Sequence, residues 1–155
     1  MQVEGGDDEE IHVPIETDAD LVPARAEARA LAARLGFSRT DATLIATAIS
    51  EIARNIVVHV GRGEISMRPI EEDRRYGLVV VAKDSGPGIR DVRAALEHGY
   101  AGRGGLGLGL PGARRLMDEF EIESGTDGGT VVTMRKWRVR DELELLRERR
   151  RAHGQ

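Results

Sequence analysis

Gly99-Tyr-Ala-Gly-Arg-Gly-Gly-Leu-Gly-Leu-Gly-Leu-Pro-Gly112, read with Asp84-Ser-Gly-Pro-Gly88 upstream, is the stretch around which the chain is organised. Seven of its fourteen residues are glycine, too many for a helix or strand interior, where each costs about 1 kcal/mol relative to alanine. Glycine supplies freedom at positive φ and lets a ligand approach the backbone closely. The run passes directly into Pro111-Gly-Ala-Arg-Arg-Leu-Met-Asp-Glu-Phe120, which reads as a helix. Proline is tolerated only in a helix's first turn, so Pro111 sets the helix start within a turn of Leu108. Free N–H groups and the positive dipole end then face one way, which makes an anion site. A polyphosphate is the first candidate ligand. Glycine-rich loops also serve as plain connections, and this one is neither a Walker A loop nor a Rossmann fingerprint.

Outward from that stretch, the 155 residues are expected to form one main domain. Residues 1–10 are acidic and read as a disordered N-terminus, 11–137 as the folded domain, and 138–155 as a charged tail with helical spacing. The chain has no cysteine, which excludes disulfides and thiolate zinc sites. Its four histidines are scattered without ligand spacing. A net charge of −4 and only five aromatic residues argue against nucleic-acid binding. No apolar run approaches membrane-spanning length, and the acidic start is the reverse of a signal peptide, so a cytoplasmic protein with no membrane partner is expected.

The periodicities give a strand at Ile11–Ile15, a helix from Asp20 to Leu35 ended by Gly36, and a helix from about Asp41 to Val60 capped by Ser38 or Thr40. Strands follow at Glu64–Ile70 and Tyr76–Lys83, joined by the charged turn Glu71–Arg75, with Gly77–Ala82 apolar enough for a central strand. Two last strands, Phe120–Ser124 and Thr130–Trp137, flank the hairpin turn Gly125-Thr-Asp-Gly-Gly129. This order predicts an α+β two-layer sandwich, a mostly antiparallel mixed sheet with helices on one face.

Three further features point to a nucleotide. Glu51 and Asn55, four apart, share a helix face. Polar residues beside an apolar stripe can simply mark the solvent edge. Yet asparagine is a poor helix former and an oxygen ligand of the kind Mg²⁺ accepts, and a glutamate one turn earlier can take a proton from an attacking hydroxyl. Asp84 ends the most apolar strand, where its carboxylate can accept from an exocyclic amine. Gly128-Gly-Thr130 opens the last strand with a small hydroxyl.

Glu51-x-x-x-Asn55, Asp84-x-Gly86-x-Gly88, the Gly104–Gly109 cluster and Gly129-Thr130 resemble, in order, the four ATP-binding boxes of the GHKL superfamily. Within it, Ala48-Ile-Ser-Glu-Ile-Ala-Arg-Asn55 and Gly104-Gly-Leu-Gly-Leu-Gly-Leu-Pro-Gly-Ala-Arg-Arg-Leu-Met-Asp-Glu-Phe120 resemble the RsbT-type switch kinases and anti-sigma regulatory factors. The resemblance spans Ile11 to Trp137 and implies a GHKL fold and an ATP- and Mg²⁺-dependent serine/threonine-protein kinase. Its substrates would be STAS-domain antagonists in a stressosome-like partner-switching module, and on release it would activate a PP2C-type phosphatase. The alternative is an anti-sigma kinase that sequesters a sigma factor. By the same resemblance Glu51 would be the general base, Asn55 the Mg²⁺ ligand and Asp84 the adenine reader. Gly86 and Gly88 would shape the base pocket and Thr130 would lie near the adenine. Gly104, Gly105, Leu106, Gly107, Leu108 and Gly109 would hold the nucleotide, with Gly105, Gly107 and Gly109 on its phosphates, and Arg90–Arg103 would be the ATP lid. Ala101-Gly-Arg103 departs from the family's small hydroxyl residues here, leaving Arg103 either a phosphate contact or a solvated lid residue.

Overall fold

In a computed structural model of the chain, residues 10–86, 109–124, 128–139 and 142–153 are described. Strand β1 (Ile11–Ile15) leads through a single 3-10 turn, Asp18–Asp20, into helix α1 (Leu21–Arg34). The Asp20 carboxylate accepts from the backbone N–H groups of Glu16 and Thr17 at 2.8 and 2.9 Å, which fixes that entry. Gly36, at φ +82, ends α1, and helix α2 (Arg39–Asn55) begins with the Ser38 hydroxyl accepting from the Asp41 N–H. From Ile56 to Val60 the helix widens into a π-turn, closed by Gly61 at φ +98.

Strands β2 (Gly63–Glu72) and β3 (Arg75–Asp84) form a hairpin with a two-residue turn at Asp73-Arg74, tighter than the five-residue turn the sequence predicts. Helix α3 spans Gly109–Leu116, with Pro111 in its first turn as expected. It stops four residues short of Phe120, which belongs to β4 (Glu119–Ser124). The stop comes from β5 (Thr130–Val139): Lys136 Nζ donates to the Leu116 carbonyl at 3.0 Å, and the Asp118 N–H donates to the Arg135 carbonyl at 2.9 Å. Helix α4 (Glu142–His153) falls in the expected charged tail, and β5 continues two residues past Trp137.

The sheet order is β1-β2-β3-β5-β4, and every pairing is antiparallel. Ile15, Ile65, Met67, Leu78, Val80 and Met134 turn one face of the sheet toward α1, α2 and α3, where they meet Leu31, Ile45, Ile49 and Ile52. Fully burying such a side chain stabilises by roughly 1.5–3 kcal/mol. This is the α+β two-layer arrangement expected from the order of elements, except that the sheet is wholly antiparallel among the described residues and not mixed. Arg39–Val60 forms 22 continuous helical residues apolar enough to cross a bilayer, which corrects the reading that no run approaches that length. Its isoleucines instead face the sheet and form the centre of the core.

Candidate nucleotide-binding site

At one end of the sheet, β3 finishes on Asp84 and β5 starts on Thr130, and the two are direct partners in the ladder. Between this end and α2 lies a cleft lined by Ile52, Asn55, Ile56, Val60, Ala82, Asp84, Leu110, Thr130 and Val132. Its lining combines apolar walls with a few polar groups, as ligand sites do.

Each polar group is held by its own local chemistry. The Gly86 N–H donates to Asp84 Oδ1 at 3.0 Å, so the chain turns back on its own carboxylate. Gly86 is required by space: a Cβ there would stand 2.8 Å from Val60 Cγ1 and 3.3 Å from Asp84 Oδ1. Thr130 is buried, with its hydroxyl 3.1 Å from the Ser124 hydroxyl. Ser124 also donates to the Gly129 carbonyl at 3.4 Å. Gly128 and Gly129, at φ +96 and +84, bring the backbone around to Thr130, a conformation side-chain-bearing residues rarely adopt.

Asn55 is the last residue of α2 before the π-turn. Its Nδ2 is buried and has no hydrogen-bond partner among the described residues. An orphaned buried amide costs on the order of 1–3 kcal/mol, so this side chain suits a site completed by polar ligand atoms. A Cβ on Gly109 would lie 3.6 Å from Asn55 Oδ1, placing the start of α3 directly beside the amide. The donor set fits a nucleotide with Mg²⁺: an asparagine oxygen alone would leave the remaining positions to phosphates and water, as this ion prefers. Among the described residues no cluster of three or more His, Asp or Glu could hold a metal by itself.

The structure thus brings Asn55, Asp84 and Thr130 into one cleft, with Gly86 and Gly109 against its walls. Glu51 stands one helical turn before Asn55, half-buried, and is not among the lining residues. Gly88, Arg103, Gly104, Gly105, Leu106, Gly107 and Leu108, together with the expected lid Arg90–Arg103, lie outside the described residues. The sequence reading missed Val60 and Ser124. Val60 reaches the cleft through a π-turn that its β-branched residues do not by themselves specify. Ser124 was readable only as the residue closing one side of a hairpin.

Comparison with known proteins agrees with this arrangement. Residues 15–136 match the family described as the histidine kinase-like ATPase domain. The chain is 46% identical to the serine/threonine-protein kinase RsbT of Bacillus subtilis over 125 residues, covering 81% of this chain and 94% of that protein. It is 32% identical to the anti-sigma F factor of Caldanaerobacter subterraneus over 120 residues, covering 74% and 82%. In fold it resembles a crystal structure of the RsbU and RsbW domains of Rv1364c from Mycobacterium tuberculosis, with a TM-score of 0.59 at 22% identity. That match covers 83% of this chain and a third (33%) of the longer one.

Proposed function

Because the chain belongs to the histidine kinase-like ATPase family, we propose that it is an ATP-dependent serine/threonine-protein kinase of a partner-switching module, acting on STAS-domain antagonists. The observation that carries this reading is the convergence of Asn55, Asp84 and Thr130 on one cleft, with the Asn55 amide buried and unpartnered.

The role of each residue follows from its chemistry. Asp84 keeps one carboxylate oxygen on the Gly86 N–H and offers acceptor capacity to the exocyclic amine of adenine. An oxo group at that ring position would face another acceptor and be rejected. Thr130 supplies a hydroxyl whose orientation is set by Ser124. Ile52, Ile56, Val60 and Val132 exclude water around the base. Asn55 would hold Mg²⁺ through Oδ1, leaving Nδ2 free to donate to a phosphate oxygen. The ion neutralises charge on the phosphates when bound.

Glu51 accepts the proton of the acceptor hydroxyl as its oxygen bonds to the γ-phosphorus. The bond from that phosphorus to the bridging oxygen breaks and ADP leaves. The glycine segment from Gly104 to Gly109 cradles the phosphates with backbone N–H groups. A chain without cysteines suits the reducing cytoplasm. Once its antagonist is phosphorylated, the released kinase engages a PP2C-type phosphatase. Similarity to an anti-sigma F factor supports a second reading, in which a sigma factor is the captured partner.

The test is incubation with γ-labelled ATP and the STAS-domain proteins encoded beside this chain. Label on serine or threonine of one of them is expected, and ATP binding with no transfer to any of them would overturn the kinase assignment. Pull-down separates the two readings: a retained STAS protein or phosphatase supports the first, a retained sigma factor the second.

A further inference from the structure

The exposed side of α2 carries a row that the nucleotide site does not use. Thr47, Glu51, Arg54 and Val58 recur at spacings of four, three and four along α2 and its π-turn, so they stand one above another. The opposite side of the helix, Ile45, Ile49, Ile52 and Ile56, is buried in the core. Asn55 faces the cleft, so Glu51 stands on the border between cleft and row. Arg54 is exposed and makes no ion pair or hydrogen bond among the described residues. Val58 is 45% exposed, one of only three large apolar side chains so exposed among the described residues.

We propose that this row is the seat of the acceptor polypeptide, and that it selects a hydroxyl flanked by a carboxylate and, further along, by an apolar side chain. The inference rests on the kinase reading. If Glu51 takes the acceptor's proton, the acceptor hydroxyl must reach Glu51 from the solvent side, because the cleft side belongs to the nucleotide. The residues flanking that hydroxyl then lie along α2. Arg54 is one turn from Glu51 and presents an unpaired guanidinium, which a carboxylate satisfies in forked geometry. Val58 lies about 10 Å along the axis from Glu51 at 1.5 Å per residue, and burying it against an apolar side chain removes both from water. An acceptor with lysine or arginine next to its hydroxyl would meet Arg54 as a like charge.

The experiment uses the full chain and the STAS-domain acceptor identified by the labelled-ATP assay. Arg54→Glu and Val58→Lys are each expected to raise the acceptor KM about tenfold or more, with ATP affinity, melting temperature and kcat at saturating acceptor unchanged. Replacing each acidic residue flanking the phosphorylated hydroxyl by arginine should yield one acceptor that restores transfer by Arg54→Glu. Unchanged acceptor KM in both variants would overturn the seat while leaving the kinase intact. Loss of ATP affinity in Arg54→Glu would show that Arg54 serves the nucleotide, which also overturns it. If the unaltered chain binds ATP and phosphorylates no STAS protein, the kinase reading fails first and the seat with it.

Discussion

The backbone N–H of Gly129 donates to the carbonyl of Gly86, tying the start of β5 to the turn after Asp84. Both glycines border the cleft, and a Cβ on Gly129 would stand 3.1 Å from the Asp84 carbonyl at φ +84. Gly129→Ala should therefore cost about 1–2 kcal/mol for the left-handed backbone and weaken ATP binding by loosening this clasp. Thermal melts and calorimetric titration read the two effects separately. Unaltered affinity would show that the clasp does not shape the site.

Asn55→Ala should abolish the Mg²⁺-dependent part of ATP binding. The buried Nδ2 has no partner to lose, so the fold should hold or gain slightly, since an orphaned donor is removed. Titrations with ATP in Mg²⁺ and in chelator should converge on one weak affinity. Full Mg·ATP affinity in the variant would refute the assigned role.

Glu51→Gln keeps the shape of the side chain and removes its basicity. Because Glu51 does not line the cleft, ATP affinity should stay within about twofold, while phosphate transfer should fall by roughly 10²–10⁴, the usual range for a general base. Transfer at the unaltered rate would remove Glu51 as the base.

Gly77 sits opposite Trp137 in the β3–β5 ladder. A Cβ there would fall 2.0 Å from the Lys136 carbonyl oxygen and 3.0 Å from the Trp137 Cα, both backbone atoms. Neither strand can retreat, since both are interior. Gly77→Ala should destabilise by about 3 kcal/mol, the upper end for overpacking, lowering the melting temperature by roughly 10 °C at this chain length. An unshifted melt would mean the ladder opens freely at this point.

His12, on β1, has its Nδ1 2.9 Å from Glu64 Oε1 on β2, and that hydrogen bond raises its pKa above the usual 6.5. A raised native value means the contribution is complete below pH 6.5 and lost as pH climbs through the native pKa. Melting temperature should therefore decline slightly as pH rises above 6.5, and Glu64→Gln should flatten that slope. An equal slope in both proteins would place the titration elsewhere.

The meeting of Asn55, Asp84 and Thr130 at one cleft was legible in the sequence because each has a local mark: an asparagine bordering an apolar helical stripe, a carboxylate closing an apolar strand, a glycine pair before a small hydroxyl. Pro111 located the start of α3 for an equally local reason. What escaped was non-local. The end of α3 at Leu116 is decided by Lys136, twenty residues later in the chain. The hydroxyl partner of Thr130 comes from the neighbouring strand. The π-turn was foreshadowed only by the β-branched run Ile56, Val57, Val58 and Val60, residues that crowd an α-helix without specifying what replaces it.

The sheet order places β1 and β4 at the rims and β3 between two neighbours. Spontaneous breathing of a fold begins at such rims, whose amide hydrogens exchange fastest, while interior strands wait for global opening. Peeling β1 away leaves Asp84 and Thr130 paired as before. The wall of the cleft that Asp84 and Thr130 form is thus anchored in the most durable part of the molecule, and heat that frays the first strand leaves that pair together until the whole domain melts.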